Sequence, residues 1–284
     1  MILVTGARGV VGVPLVQRLE QDGADFMSIS RSSSELSLQW DLSEAANAEQ
    51  LSQAAHASTL IHTAPIWLLP QHVSVLANGS LKRIVAFSST SVLSKQSSPN
   101  SAEQVLVRSL ADAEESLAEQ CATQGIALTI LRPSLIYGYG RDENISKIAH
   151  FIRKWKVMFL VGKASGKRQP VHADDLVQAC LACLQEPKTA GQAYNLAGRD
   201  TMSYTEMVER IFVGLGVRPR IIRLPLSAFR WALVLAAKLT GFAYTAEMAN
   251  RMNQNLAYDT VAAKNDFGFQ PQGFLQHPER DLPI

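Results

Sequence analysis

The fold is decided by residues 1–12, which read MILVTGARGVVG. Apolar and β-branched residues form a strand pattern, and this pattern leads into glycines spaced G-x-x-G-x-x-G, at Gly6, Gly9 and Gly12. The amphipathic stretch from Val10 to Gln21 predicts a helix. A strand, a glycine turn and a helix N-terminus form an anion site, because backbone N–H groups and the helix dipole face the ligand. The opening stretch therefore predicts a turn that binds the pyrophosphate of a dinucleotide.

Apolar runs of strand length alternate with helical patterns along the chain. We predict strands near 1–5, 25–30, 36–40, 58–63, 83–88, 126–132 and 193–196. We predict helices near 10–22, 45–55, 101–124, 142–155, 174–186 and 203–215, and a loop over the Ser-rich stretch 88–101. This alternation is typical of an α/β fold with a doubly wound parallel sheet of the Rossmann type. We expect a dinucleotide-binding domain mainly over 1–165, with strand returns near 168–200, and a small C-terminal substrate lobe mainly over 200–284.

The net charge, the first predicted strand and the cysteines of the chain bear on which classes of protein it can belong to. The chain has 284 residues and a net charge of +2 at pH 7, so no nucleic-acid-binding surface is implied. Because the first predicted strand begins at Met1, we expect no signal or transit peptide. Cys180 and Cys183 lie in an apolar helical pattern without further ligands nearby, which favours reduced core thiols over a metal site. We expect a cytoplasmic protein without a bound metal.

The glycine spacing after Thr5 resembles that of the short-chain dehydrogenase/reductase superfamily. Four later segments resemble its extended and atypical branches, which include nucleotide-sugar epimerases and dehydratases. They are the fourth-strand cofactor segment at 61–64, the strand ending in a catalytic Ser or Thr at 83–92, the R-P-x-x-x-Y-G turn at 131–138, and the V-H-x-D-D-L segment at 169–176. The resemblance covers residues 1 to about 200 and implies a nicotinamide dinucleotide cofactor.

The glycine turn and the resemblance together give a set of candidate cofactor-binding residues: Gly6, Arg8, Gly9, Val10, Val11, Gly12, Arg31, Asp41, Leu42, Thr63, Ala64, Ser88 and Pro133. NAD-specific proteins normally place an acid at the end of the second strand, where it binds the ribose 2′-hydroxyl. This chain has Arg31 there, and a guanidinium fork suits a 2′-phosphate. Arg8 is placed to approach the same phosphate, although a solvated surface charge explains either arginine. We expect NADP(H) in preference to NAD(H).

The helix predicted over 101–124 lacks the acid–base pair that the resemblance leads us to expect. In the family, a Tyr and a Lys four residues later exchange a proton with the substrate. Alignment on Ser109 and Glu114 places Leu106 and Leu110 at these positions. Ser89, which aligns with the catalytic hydroxyl, is present. The candidate catalytic residues are Ser89 and Tyr137, and other candidate proton donors are Tyr139, His172, Asp174 and Lys95; structural roles explain Tyr137, His172 and Asp174 equally well.

Two functions stay open at this point. The first is an NADP(H)-dependent oxidoreductase, or a nucleotide-sugar epimerase/dehydratase-like enzyme, with a non-standard proton donor and an unidentified small-molecule substrate. The second is a non-catalytic NADP(H)-binding protein with a regulatory, assembly or partner-binding role. The atypical family relative in mitochondrial respiratory complex I is the precedent for this second function.

Two segments bear on partners. The segment 65–81 is shorter than the helix that builds half of the usual family dimer interface, so we do not expect that dimer. The apolar stretch 224–244 is interrupted by Arg230 and Lys238 and is too short and too charged to span a bilayer. We expect it to form a lobe helix over the substrate pocket. The alternative is a peripheral contact with a membrane or a protein, anchored by Phe229 and Trp231.

Overall fold

The computed structural model describes residues 1–31, 37–77, 79–96, 98, 100–225 and 251–283. The prediction for 224–244 lies outside these residues from 226 onward. The chain divides into two compact units. The larger unit consists of Met1–Ser134, Ala173–Leu196 and Asp259–Gln270, and the smaller one of Leu135–His172, Ala197–Tyr258 and Pro271–Ile284 within the described ranges. No described helix is both long and apolar enough to cross a membrane.

The strands follow one another along the chain as β1 (Ile2–Thr5), β2 (Phe26–Ser30), β3 (Ser37–Gln39), β4 (Thr59–His62), β5 (Arg83–Phe87), β6 (Ala127–Pro133), β7 (Ile136–Tyr137), β8 (Met158–Val161), β9 (Lys167–Arg168), β10 (Val171–His172), β11 (Gln192–Leu196), β12 (Met202–Ser203) and β13 (Ile221–Leu224). The helices are α1 (Gly12–Gln21), α2 (Ala48–Ala54), α3 (Pro70–Ala77), α4 (Ser91–Ser94), α5 (Ser101–Gln124), α6 (Ile145–Trp155), α7 (Ala173–Gln185), α8 (Tyr204–Gly214), α9 (Val261–Phe267) and α10 (Pro278–Asp281). Short 3-10 turns lie at Ile66–Leu68 and Pro187–Thr189.

The larger unit is built on a seven-stranded sheet in the order β11-β6-β5-β4-β1-β2-β3, with every neighbouring pair parallel. The chain runs outward from β1 to β3 on one side, then returns and continues outward from β4 on the other. The strand order therefore reverses between β1 and β4, where Thr5 pairs with His62. This topology confirms the predicted doubly wound α/β fold. Ligands of such sheets bind in the crevice at the carboxyl ends of the strands at this reversal.

Helices pack against both faces of the sheet. Helix α1 contacts α7, and α3 contacts α5. Leu60, Ile84 and Leu117 lie fully buried in the apolar layer that α3 and α5 share with the sheet. Helix α5 begins where the Asn100 side chain accepts hydrogen bonds from two backbone N–H groups, and it ends at Gly125 in the left-handed conformation. The predicted helix over 101–124 is confirmed with its bounds unchanged.

The smaller unit contains three two-stranded sheets, β7–β10, β8–β13 and β9–β12. Helices α6 and α8 pack against each other over a core that includes Tyr137, Ile152 and Phe212. These strands are two to four residues long and were not predicted.

Two local predictions have clear outcomes. The loop predicted over 88–101 is wrong in part, because Ser91–Ser94 form the short helix α4. The segment 65–81 holds only a 3-10 turn and the eight-residue helix α3, which confirms that it is short. Pro70 opens α3 rather than interrupting it, since the first helical turn does not need the N–H that proline lacks. The absence of the usual dimer stays a prediction.

Candidate functional site

The glycine turn after β1 is closed tightly enough to require glycine at two positions. Gly6 has a φ of +71°, and a Cβ there would lie 2.5 Å from the backbone nitrogen of Ala64. A Cβ on Gly12 would lie 2.1 Å from the carbonyl oxygen of Gly6. The N–H of Gly9 donates to that same carbonyl oxygen at 2.9 Å. The missing side chain of Gly6 therefore allows the turn to lie close to the residues that follow β4, and that of Gly12 allows the start of α1 to lie close to the turn.

Gly9 differs from the other two glycines because it is exposed. A Cβ there would approach only the Gly6 carbonyl oxygen, at 3.2 Å, so the fold nearly tolerates a side chain. Gly9 thus leaves bare backbone on the outer side of the turn. At the start of α1 the N-cap residue Val11 makes no side-chain capping bond, and the first turn holds no acidic residue. The turn therefore fits a pyrophosphate, whose charge the helix N-terminus stabilises.

A buried histidine joins the ends of β1 and β4 beneath the glycine turn. His62 is fully buried; its Nδ1 lies 2.7 Å from the Thr5 hydroxyl oxygen and its Nε2 lies 3.1 Å from the Pro65 carbonyl oxygen. A carbonyl only accepts, so Nε2 carries the proton and Nδ1 accepts from Thr5. Burial lowers the pKa of His62 to about 4, so the ring is neutral at pH 7. The sequence interpretation quoted His62 only as part of a motif and missed this role.

Thr63 lies directly after this histidine and is tied to β1. Its backbone N–H and its hydroxyl both donate to the Thr5 carbonyl oxygen, at 3.1 and 2.7 Å. The two predicted cofactor residues Thr63 and Ala64 are therefore held against the glycine turn, within the contact that forbids a side chain at Gly6. The glycine turn, Thr63 and Ala64 therefore lie together between β1 and β4, where the strand order reverses.

The end of β2 brings Arg31 close to Asp41. Arg31 is exposed, and its carbonyl oxygen accepts a hydrogen bond from the Gln39 side chain at 3.3 Å. The pKa of Asp41 is lowered, first by the Ser43 N–H and hydroxyl that donate to its carboxylate, and to a smaller degree by the charge of Arg31. Leu42 is buried. Arg8 is exposed on the glycine turn, and residues 32–36 lie outside the described residues.

The carboxyl ends of β5 and β6 are joined by hydrogen bonds. The N–H of Ser88 donates to the Leu131 carbonyl oxygen at 2.7 Å, and the N–H of Thr90 donates to the Pro133 carbonyl oxygen at 3.0 Å. The hydroxyl oxygen of Ser89 accepts from the Ser91 N–H at 3.1 Å, at the start of α4. Ser88, Ser89 and Pro133 therefore lie together, as the sequence predicts; their roles toward a cofactor or substrate stay predictions.

A charged network that the sequence interpretation missed lies behind these strand ends. Glu114, on α5, is 7 % exposed and accepts from the Ser88 hydroxyl. Arg132 also donates to this carboxylate, with Nε at 3.1 and 3.0 Å from its two oxygens and a second nitrogen close by. An available signal was the position of Glu114 one helical turn after Leu110, together with the arginine before Pro133.

The two leucines that the sequence resemblance places at the Tyr and Lys positions face apolar surroundings. Leu110 is 4 % exposed and belongs to the core layer between α5 and the sheet. Leu106, one turn earlier, is partly buried and packs against the same core. Leucine side chains have no proton to exchange, so this face of α5 does not supply the usual acid–base chemistry.

The predicted residue Tyr137 lies in the smaller unit and is 1 % exposed. Its hydroxyl lies 3.3 Å from the Gly273 carbonyl oxygen and accepts from the Leu275 N–H at 3.1 Å. Its ring contacts His172, with the ring centroids 5.0 Å apart. These contacts suit a packing role, and a catalytic role for Tyr137 stays a prediction.

His172 and Tyr139 form a polar cluster with the last residues of the smaller unit. His172 Nε2 lies 3.0 Å from a carboxylate oxygen of the buried Asp281. Burial raises the pKa of Asp281, but the hydrogen bonds from His172 and Arg280 outweigh it, so the pKa of Asp281 is lowered overall. The Arg280 guanidinium lies 5.0 Å from the ring centroid of Tyr139, whose φ is +59°. This cluster is the alternative place to look for a proton donor.

The remaining candidates have ordinary surroundings. Lys95 pairs with Glu103 at 3.4 Å, and Asp174 lies in the first turn of α7, where an acid favours the helix dipole. Cys180 and Cys183 are fully buried, and burial raises the pKa of Cys183 to about 12, so its thiol stays protonated. Among the described residues, no group of His, Cys, Asp and Glu is arranged to hold a metal.

Comparison of the sequence with known protein families identifies a family that is consistent with this fold and with the glycine turn. The chain belongs to the NAD dependent epimerase/dehydratase family, whose profile matches residues 2–75 and 71–197. This confirms the predicted membership of the extended short-chain dehydrogenase/reductase group. The chain is also similar, at 24 % identity over 168 residues, to the UDP-glucose 4-epimerase of Vibrio cholerae; the match covers 59 % of this chain and 49 % of the relative.

Two further proteins show how varied the relatives are. The mitochondrial subunit 9 of the NADH dehydrogenase (ubiquinone) 1 alpha subcomplex of Arabidopsis thaliana is 26 % identical over 188 residues, which cover 63 % of this chain and 45 % of that subunit. The chain thus spans about half the length of the curated relatives it matches. A solved structure of UDP-glucuronic acid 4-epimerase from Bacillus cereus in complex with NAD shares the fold, with a TM-score of 0.74, 16 % identity, and coverage of 98 % of this chain and 94 % of that one.

Proposed function

We propose that this chain binds NADP(H) at the glycine turn and acts as an oxidoreductase or a nucleotide-sugar epimerase/dehydratase-like enzyme with a non-standard proton donor. The observation that carries the binding proposal is the turn itself. Gly6 and Gly12 are required by its geometry, whereas Gly9 leaves its backbone exposed beside a helix N-terminus that has no side-chain cap. A bound nicotinamide would supply the acceptor or donor of hydride.

The preference for the 2′-phosphorylated form rests on Arg31. It is exposed at the end of β2 and lies close enough to Asp41 to lower the pKa of that carboxyl. No described residue at this strand end is an acid in the position that binds a ribose 2′-hydroxyl in NAD-specific proteins. The Bacillus cereus structure contains NAD, so this preference distinguishes the chain from that neighbour.

The substrate class follows from the relatives. The Vibrio cholerae relative is a UDP-glucose 4-epimerase, and a nucleotide sugar is therefore the first substrate to test. Ser89 would hold a hydroxyl or carbonyl of the substrate by its own hydroxyl. Leu106 and Leu110 cannot donate a proton, and the other candidate donors Tyr139 and His172 belong to a polar cluster of the smaller unit.

The alternative is a non-catalytic NADP(H)-binding protein with a regulatory, assembly or partner-binding role. One observation favours it: Leu106 and Leu110 pack into the core of the larger unit, so the face that normally carries the acid–base pair is apolar. The relative in the Arabidopsis thaliana NADH dehydrogenase is a subunit of a larger assembly. Both proposed functions include binding of NADP(H), and only the first includes conversion of a substrate.

Gly9→Val tests the binding proposal. We expect the affinity for NADPH to fall by roughly a hundredfold, because the side chain blocks the backbone approach, with little change in the melting temperature. Gly12→Ala is the matched control, since its Cβ would collide with the Gly6 carbonyl oxygen and should lower the melting temperature. Both quantities are measured by nicotinamide fluorescence titration and thermal unfolding. Unchanged NADPH affinity in folded Gly9→Val would show that the turn is structural only.

The remaining parts of the proposal concern location and partners. The three cysteines are buried and free, which supports a reducing compartment such as the cytoplasm. The short segment that ends with α3 supports the proposal that the usual family dimer does not form. The proposed partner is a small molecule and not a nucleic acid, in keeping with the net charge of +2.

A further inference from the structure

Glu114 is a buried carboxylate that the proposed function does not use. It lies on α5 and is 7 % exposed, with three hydrogen-bond donors directed at it: the Ser88 hydroxyl and two nitrogens of Arg132. A charge in such a position is costly unless it is paired and hydrogen-bonded, so the three side chains have a single favourable arrangement.

This network joins the ends of two strands to one helix. Ser88 directly follows β5, and Arg132 is the residue before Pro133, the last residue of β6. The same two strand ends are linked by the hydrogen bond from Thr90 to the Pro133 carbonyl oxygen. Ser88 and Pro133 are predicted cofactor contacts, and Ser89 between Ser88 and Thr90 is the predicted catalytic hydroxyl. The network therefore ties Ser88 and Arg132, which adjoin Ser89 and Pro133 in the chain, to α5.

The position of Glu114 on α5 links the network to the missing acid–base pair. Residues four apart share one face of a helix, so Leu106, Leu110 and Glu114 form a line along the side of α5 that faces the sheet. The first two are apolar and fix α5 to the sheet by packing alone. Glu114 supplies the polar contacts of this face with the ends of β5 and β6.

We infer that Glu114 is a positioning residue for the nicotinamide half of the cofactor, acting through Ser88 and Arg132. The inference rests on the proposed binding of NADP(H). It separates the site into two parts: the glycine turn with Arg31 holds the adenosine half, and the Glu114 network holds in place the strand ends that meet the other half. Loss of the network should therefore weaken the contacts with the nicotinamide half of the cofactor and leave those with the adenosine half unchanged.

The test compares two ligands in the full chain. NADPH carries both halves, whereas adenosine 2′,5′-bisphosphate carries the 2′-phosphate and no nicotinamide. In Glu114→Gln, which keeps the size of the side chain and removes its charge, we expect about tenfold weaker binding of NADPH and unchanged binding of adenosine 2′,5′-bisphosphate. The emission of bound NADPH should also shift toward that of the free cofactor, since its nicotinamide is held less firmly.

Two further variants keep this test decisive. Arg132→Lys retains the positive charge and loses the fork of donors, so it should reproduce the selective loss if Glu114→Gln does not fold. Glu206→Gln breaks the ion pair of Glu206 with Arg210, which are 2.8 Å apart on α8 in the smaller unit, and should change neither affinity.

Each result bears on the inference. Equal weakening of both ligands would show a general structural role for Glu114 and would overturn the inference, and so would unchanged NADPH affinity in both variants. A wild-type chain that binds adenosine 2′,5′-bisphosphate but loses nothing in the variants leaves the proposed function intact and rejects only the positioning role. A wild-type chain that binds neither ligand rejects the proposed function and the inference with it.

Discussion

The glycine turn and the sheet-facing side of α5 lie in the same unit and have kept different parts of a family pattern. At the turn, Gly6 and Gly12 meet steric demands that other residues cannot satisfy. On α5, Leu106 and Leu110, which the sequence resemblance aligns with the acid–base pair, are packed into the core. The first region has the backbone geometry that the proposed dinucleotide site needs, whereas the second is an apolar packing surface at these two positions.

The proposed function treats dinucleotide binding and proton transfer as separable properties of this fold. The turn is made of backbone, and its geometry depends on the absence of side chains at a few positions. Proton transfer depends on two particular side chains, whose replacement by leucine leaves an apolar helix face that packs well. Measurements of turnover, of stability and of cofactor choice test the two regions separately.

The largest expected effect is on turnover. With UDP-glucose as substrate, the wild type should be slower than a relative that has the Tyr–Lys pair by about 10²–10⁴-fold, because general acid–base catalysis contributes that much. Leu106→Tyr with Leu110→Lys restores both groups and should recover part of this factor. Position 110 is 4 % exposed, so the added lysine is desolvated and the double variant loses stability. Leu106→Phe is the size-matched control without a hydroxyl.

The opposite result is equally informative. Wild-type turnover of about 1–10³ s⁻¹ on a simple carbonyl or a nucleotide sugar, which is the range of ordinary enzymes, would mean that another donor is present. Tyr137→Phe, Tyr139→Phe and His172→Ala would then locate it. A variant that loses turnover and keeps its NADPH affinity identifies the donor and rejects the non-catalytic alternative.

The next effect is on stability and comes from His62. Folding lowers the pKa of this histidine from 6.5 to about 4, so between these pH values the unfolded state binds a proton that the folded state does not. The free energy of unfolding should therefore fall as the pH drops from 6.5 to about 4, by about 3 kcal/mol in total. Urea unfolding at neutral and at mildly acidic pH measures this loss.

His62→Gln provides the comparison for that measurement. It should lower stability at neutral pH, because the bonds to Thr5 and Pro65 are disturbed, and it should flatten the pH dependence below 6.5. His277→Gln is the matched control, since this histidine is largely exposed and should leave the slope unchanged. The same slope in wild type and His62→Gln would contradict the assignment of a buried, neutral ring beneath the glycine turn.

Much of the larger unit could be predicted from the sequence because its signals are local and long. Strands with apolar runs and helices such as α5, with Asn100 at one end and Gly125 at the other, carry their own boundaries. The glycine turn was predictable for the same reason, since its spacing encodes its geometry. Four strands of the smaller unit were not predictable, because β7, β9, β10 and β12 each have two residues.

The site was predictable only where one segment carries the whole signal. The contacts of Glu114 with Ser88 and Arg132 join residues 26 and 18 positions apart, and the bond of His172 with Asp281 spans 109. Such pairs are brought together by the topology of the sheet and of the smaller unit. The sequence around one residue of a pair does not indicate which distant residue it contacts. These contacts contribute to stability because they are buried. A sequence pattern predicts which face of a helix or strand is buried, but it does not predict whether a single polar side chain is buried.

The smallest expected effect concerns the choice between the two dinucleotides. Arg31→Asp removes the proposed charge-assisted contact with the 2′-phosphate, worth roughly 1.5–3 kcal/mol, and should weaken NADPH binding about tenfold to a hundredfold. NADH binding should stay the same or improve, because an acid at this strand end suits a free 2′-hydroxyl. Arg108→Asp, at an exposed position on α5, makes the same change in net charge and should affect neither cofactor. Fluorescence titration of both dinucleotides decides the matter: equal wild-type affinities for NADPH and NADH would mean that Arg31 is a solvated surface charge and that the turn binds the part the two cofactors share.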